Sequence, residues 1–151
     1  MIKRLSNSDV KELNEHLEAQ YGKEFLNKKD VVEENDKIIY VNKEAMFFYY
    51  DSRIAPTLKL ILKNPFLKKI TVDMGAVKFI VSGADVMRPG VLWIENGIKK
   101  DELVIIQDVN NKKPLALGVA LFDAEDMRKQ TGGKVVKNIH WVGDEIWKIS
   151  P

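Results

Sequence analysis

The residues best placed to do chemistry crowd one short stretch, Lys78, Ser82, Gly83, Ala84, Asp85, Val86, Arg88, Pro89 and Gly90, running from a predicted helix through the loop to the strand after it. Their chemistry is anion recognition rather than bond-breaking. Gly83 and Gly90 admit backbone conformations closed to other residues and let a phosphate or ribose approach the main chain, while Pro89 stiffens the loop between them. Such a loop presents N–H donors. Lys78 and Arg88 are spaced to add phosphate contacts, and an arginine can also stack on a base. Taken alone, the same stretch also reads as a glycine stop after a helix, with Arg88 a solvated surface charge. Lys134 and Lys137, flanking the penultimate expected strand, are weaker candidates. Lys59, Lys63, Lys68 and Lys69 form a further basic cluster; spacing of four puts Lys59 and Lys63 on one helical face, which reads first as a solvated face.

Composition removes several other chemistries. The chain has no cysteine, so disulfides, thiol catalysis and thiolate metal sites are out. The two histidines, His16 and His140, lie far apart and belong to no spaced ligand motif, so no metal is expected. There is no phosphate-binding glycine loop of the nucleotide-binding kind and no Ser/His/Asp arrangement, so no catalytic residue and no cofactor are assigned. The formal charge of +2 comes from 24 basic against 22 acidic residues. Residues 1–71 hold 13 against 11 and residues 72–151 hold 11 against 11, so neither half is a basic tail. Any polyanion must therefore meet a local site rather than a broad field of charge. No run approaches the roughly 20 apolar residues of a membrane span, and the start MIKRL leads into polar sequence; a soluble cytoplasmic protein with no membrane partner is expected.

Those residues need elements to hold them. Ser6 is an N-cap with Asp9 to answer it, Val10, Leu13, Leu17 and Tyr21 share one helical face, and Gly22 supplies the stop. From Val31 to Tyr50 the pattern turns to β-branched and aromatic strands, and Pro56 suits the first turn of a second helix ending near Lys63. After Pro65 a strand (Lys69 to Val72), a short helix (Gly75 to Ser82) and strands near Val91–Glu95, Glu102–Asp108 and Leu115–Phe122 are expected. A polar, helical stretch (Ala124 to Gln130) precedes a closing hairpin, Val135 to Trp141 and Glu145 to Ile149, turning at Gly143-Asp144. Trp141 and Trp147 read as barrel core. The fold class is α+β: a small N-terminal α/β domain over residues 1–66 and a barrel with short helices over 67–151.

The run from Val72 to Val91, VDMGAVKFIVSGADVMRPGV, resembles the signature of the PUA domain, with its D-x-G-A turn, S-G-A-x-V-x-x-P-G loop and following strand. The resemblance extends from Lys69 to Ser150. It implies a PUA pseudo-barrel preceded by a pre-PUA domain, and an RNA contact across the helix, the loop and part of the last strand. The run KFIVSGADVMRPG and the closing NIHWVGDEIWKI are similar to the malignant-T-cell-amplified-sequence family, archaeal relatives included, and to the N-terminal part of ligatin. That likeness implies a translation-associated role with structured ribosomal RNA or tRNA, the small ribosomal subunit and a translation-factor partner. PUA modules also ride on RNA-modifying enzymes, and the residues before Pro65 are too few for a catalytic domain. No enzyme is therefore expected, the alternatives being an accessory RNA-binding subunit of a tRNA- or rRNA-modifying enzyme, or a protein-docking module.

Overall fold

Ser6 begins the first helix by accepting the backbone N–H of Asp9 on its hydroxyl at 3.2 Å, which satisfies one of the donors a helix start leaves without a partner. This helix, α1, runs Asn7–Tyr21 and stops at Gly22, whose φ of 76° is the left-handed geometry that costs glycine nothing. The computed structural model describes residues 1–149, and every element named here belongs to those residues. Leu13 and Leu17 bury the inward stripe of α1, and the Tyr21 hydroxyl donates to the Ile54 carbonyl. Against this stripe lies an antiparallel sheet in the order β1 (Lys3–Arg4), β2 (Val32–Glu34), β3 (Ile38–Val41), β4 (Glu44–Tyr50), β5 (Arg53–Pro56). Its core is Val32, Ile38, Ile39, Phe47 and Phe48, with Phe25 edge-on to Phe47.

Pro56 departs from expectation. It ends edge strand β5 opposite Phe47, where a missing N–H leaves no ladder bond unmade, instead of opening a helix. The second helix, α2 (Leu58–Lys63), starts after Thr57, whose hydroxyl accepts the Leu60 N–H at 3.3 Å. Packing groups the described chain into two compact units, Met1–Pro56 and Thr57–Ile149, and α2 packs with the second.

In the second unit the elements follow as β6 (Lys69–Val72), α3 (Met74–Ile80), β7 (Val86–Met87), a 3-10 turn (Arg88–Gly90), β8 (Val91–Ile94), β9 (Leu103–Asp108), β10 (Pro114–Ala120), α4 (Ala124–Lys129) and β11 (Lys134–Trp141). The sheet order is β7-β11-β10-β9-β6-β8, antiparallel except for the parallel pair β6 and β9. Its two outer strands, β7 and β8, are separated in sequence by the three residues of the 3-10 turn. Their sheet must therefore curl until its edges meet, which makes it a nearly closed barrel. Ile70, Val72, Val104, Ile106 and Val136 fill the interior, and Ile80 from α3 and Met127 from α4 plug it. The two-domain α+β architecture is the one expected.

The closing hairpin is not formed. After β11 the chain turns, and Glu145–Ile149 contains no strand. The cause is Asp144: its carboxylate accepts the N–H of Trp141 at 3.0 Å and that of Trp147 at 2.8 Å, which winds the segment into a tight turn before it can pair. Trp141 packs against the barrel core, as expected, whereas Trp147 lies half-buried under the Lys59 ammonium, 5.8 Å from the ring centre.

Candidate nucleic-acid interface

Asp73 ties both ends of the signature together. Its carboxylate caps α3 by accepting the Ala76 N–H at 3.0 Å, and its own N–H donates to the Gly90 carbonyl at 3.0 Å. The D-x-G-A turn and the P-G turn are thereby held edge to edge. Gly90 is needed for closeness rather than for an unusual dihedral angle: a Cβ there would stand 3.3 Å from the Ala76 methyl. Between α3 and the loop lies a groove of about 440 Å3, lined by Asp73, Gly75, Ala76, Phe79 and Ile80 on one side and by Ala84, Asp85, Val86, Met87, Pro89 and Gly90 on the other.

Five of the predicted site residues, Ala84, Asp85, Val86, Pro89 and Gly90, meet in this groove. Lys78 stands exposed on α3, its ammonium 5.1 Å from the Phe79 ring centre, and the Ser82 hydroxyl donates back to the Lys78 carbonyl at 2.8 Å. Lys134 and Lys137 are exposed on β11, with Lys134 in an ion pair with Asp85 at 3.2 Å. Asp85 also accepts the Asn138 N–H at 2.9 Å, and the Asn138 amide donates to the carbonyls of Ile80 and Ala84, each at 3.0 Å. Asn138, 8% exposed, thus pins the loop to β11.

Two residues do something other than expected. Gly83 has the anticipated positive φ, 97°, but the space its missing Cβ would take lies against the Trp141 ring, 2.9 Å away, so on that side the glycine makes room for an indole. Arg88 is half-buried and engaged with backbone: its Nε donates to the Met127 carbonyl at 3.0 Å and its Nη1 to the Val91 carbonyl at 3.1 Å. The Arg88 N–H donates to Gly133 at 2.9 Å. Arg88 therefore sits at the seam where the barrel's edges meet.

Sequence reasoning missed Phe79 and Met87, which are 58% and 46% exposed and form apolar rims to the groove. One signal was available for Phe79, since Ala76, Val77 and Ile80 already supply the inward stripe of α3 and leave Phe79 facing water. Elsewhere in the unit two lysines of the basic cluster are engaged within the protein, while Lys63 stays exposed. Lys59 donates to the Ile149 carbonyl at 2.8 Å and Lys68 pairs with Glu102 at 3.1 Å. Beneath α2, His140 is fully buried: its Nε2 accepts the Leu58 N–H at 2.9 Å, so its Nδ1 carries the proton given to Asp144 at 2.8 Å. Burial pushes the Asp144 carboxyl up, but the hydrogen bonds from His140, Trp147 and Trp141 outweigh it and hold the group below the ordinary aspartate range.

Comparison with known proteins decides the family. Residues 68–142 match the PUA domain model, and residues 4–64 match a domain of unknown function. An uncharacterized protein of Methanocaldococcus jannaschii is 41% identical over 96% of this chain and 94% of its own. Translation machinery-associated protein 20 of Eremothecium gossypii is 31% identical over 99% of both chains. Malignant T-cell-amplified sequence 1 of Rattus norvegicus is 33% identical over 97% of this chain and 89% of its own. The chain belongs to this family of PUA-domain proteins. A hypothetical protein from Pyrococcus horikoshii, with 35% identity over 98% of both chains, superposes with a TM-score of 0.81. A chain from an H/ACA ribonucleoprotein bound to a substrate RNA, 29% identical, aligns over 62% of this chain and 28% of its own with a TM-score of 0.52. In PUA terms, α3 and the Ala84–Gly90 loop are the helix and loop to which the family resemblance assigned the contact; the last strand it also named was expected at Glu145–Ile149, and among the described residues β11 takes that place instead.

Proposed function

We propose that this protein is a non-catalytic, translation-associated factor of the cytoplasm that binds structured RNA, in small-subunit ribosomal RNA or tRNA, across α3, the loop and β11. Residues 67–151 carry the contact, and residues 1–66 serve as the pre-PUA domain toward a translation-factor partner. The observation that carries the reading is the groove itself. It offers apolar surface at Phe79 and Met87, and stands between the exposed lysines of α3 and β11. Its carboxylates hold structure rather than move protons, Asp73 capping α3 and Asp85 fixing the loop to β11. The names of the eukaryotic relatives support the translation setting, and the RNA-bound ribonucleoprotein that shares the fold supports the ligand class.

The same ribonucleoprotein favours a second reading, an accessory subunit of an RNA-modifying enzyme. Crosslinking of the full chain in cell extract, followed by sequencing of attached RNA, separates the two. Crosslinks to small-subunit ribosomal RNA or tRNA that fade in a Lys78→Ala, Lys137→Ala variant support the first. Co-purification with a modifying enzyme and its RNA supports the second, and background crosslinking in both proteins overturns RNA binding.

A further inference from the structure

Asn96 is the one asparagine of the chain that precedes a glycine, and both residues are exposed. Asparagine amides are chemically labile, so what surrounds this pair matters. The two form a turn after β8, where Gly97 takes a left-handed φ of 87°. The chain is pinned on either side of the turn and free within it. Before it, the Glu95 N–H donates to the Lys69 carbonyl at 3.1 Å; after it, the Ile98 carbonyl accepts the Ala124 N–H at 2.9 Å and the Lys100 N–H donates to Asp123 at 2.7 Å. The Gly97 N–H makes no hydrogen bond among the described residues, and with no Cβ the residue puts no bulk beside its own nitrogen. The Asn96 side chain is held from the other end. Arg128, on α4, donates from Nη2 to Asn96 Oδ1 at 2.6 Å and to the Ile94 carbonyl at 2.7 Å, and has no carboxylate partner among the described residues. Both side chains line an open hollow of about 440 Å3, so water reaches them.

These are the parts of an amide cyclisation. The Gly97 nitrogen is the nucleophile, Asn96 Cγ its target, and the negative charge of the adduct forms on Oδ1, where the guanidinium already donates. We infer that Asn96–Gly97 is a self-modification site, and that the fold promotes its deamidation through Arg128. A bond forms from Gly97 N to Asn96 Cγ as the Gly97 proton passes to water, and the bond from Cγ to Nδ2 breaks as that nitrogen takes up a proton and leaves as ammonia. Water then opens the cyclic imide: attack at Cγ gives aspartate, and attack at the Asn96 main-chain carbonyl gives isoaspartate. One water is consumed and one ammonia released, with no oxidant and no cofactor. Either product adds a carboxylate at this turn and lowers the formal charge of +2 by one. Aspartate turns the Arg128 hydrogen bond into an ion pair, while isoaspartate inserts a methylene into the main chain just after β8.

The test follows the full chain by peptide mass spectrometry during incubation at neutral and mildly alkaline pH, both folded and in urea. In the folded chain the amide-to-acid mass gain is expected at Asn96, as two chromatographically separate products, and not at Asn14 or Asn138, whose amides bond to backbone within the fold. The folded chain should convert at least as fast as the chain in urea. Arg128→Ala should slow conversion of the folded chain about tenfold, less than for a buried oxyanion donor because this guanidinium meets water, and should leave the rate in urea unchanged. Arg128 also holds the Ile94 carbonyl, so the variant's melting temperature is checked, and the comparison of folded chain with urea decides the matter if that variant does not fold. No conversion at Asn96 in the folded chain, or faster conversion in urea than in the fold, overturns the proposal. A folded Arg128→Ala that converts at the intact rate overturns it as well. The RNA reading stands or falls separately from all of these results.

Discussion

Arg88 holds the carbonyls of Met127 and Val91 from one guanidinium, with a longer third contact to Arg128 at 3.5 Å, and so joins the 3-10 turn, β8 and α4. Charge-assisted bonds of this kind contribute more than neutral ones, so Arg88→Ala should lower stability by about 2–3 kcal/mol, read as a shift in the urea midpoint. Arg88→Lys should recover little of it, because a single ammonium cannot span the planar fork. Loss of RNA binding in an Arg88 variant would therefore report the fold as much as the contact. Lys78 is the cleaner probe: it is exposed on α3, and Lys78→Ala should weaken RNA binding by about 1–3 kcal/mol with an unchanged melting curve. At Gly83 a side chain meets both a strained φ of 97° and the Trp141 ring. Gly83→Ala should cost about 2 kcal/mol or more, and the tryptophan emission should shift as the indole is displaced.

At the scale of elements, the first turn of α2 is tied to the end of β11 through His140 and Asp144. The chain Leu58 N–H to His140 to Asp144 lies almost wholly out of water, with His140 at 0% exposure. Asp144→Asn should lower stability by about 1–3 kcal/mol at neutral pH, because the buried imidazole loses its charged acceptor. The sign of the pH dependence follows from the direction of the shift. The folded Asp144 carboxyl lies below its ordinary value, so its stabilisation is fully present above the ordinary aspartate range and is lost as pH falls through the folded value. The melting-temperature gap between the wild type and Asp144→Asn should accordingly be constant from neutrality down to the ordinary aspartate range and narrow only in stronger acid. A gap that closes at neutral pH would show that the carboxylate is not the stabilising partner.

The whole molecule carries a charge of only +2, and its basic residues are interleaved with acidic ones. The proposed contact through Lys78, Lys134 and Lys137 involves few phosphates. Affinity should then fall with salt along a shallow line, with a log–log slope of about −2 to −4 rather than the steep dependence of proteins that make many phosphate contacts. Titration of an RNA hairpin at a series of potassium chloride concentrations measures it. A slope much steeper than this would mean that a wider basic surface is in play than the groove and its neighbouring lysines.

The sequence alone was enough for the order β6, α3, β8, β9, β10, α4, β11, the start and stop of α1, and the family signature. Each is written in local spacing: Ser6 three residues before Asp9, Gly22 after the last inward residue, and a Gly/Pro pattern with no internal repeat to confuse it. It was also enough to bring the groove residues Ala84, Asp85, Val86, Pro89 and Gly90 into view, because one short loop contains them. What the tertiary structure alone decided is the role of each polar group. Arg88 and Asp85 look alike in sequence as loop charges, yet one is turned onto a carbonyl of α4, 39 residues away, and the other onto β11, 53 residues away. The turn at Asp144 and the indole over Gly83 likewise depend on which strands meet. A side chain's ligand is set by what the barrel leaves unbonded when it closes, and closure is a property of long-range pairing that no local pattern contains.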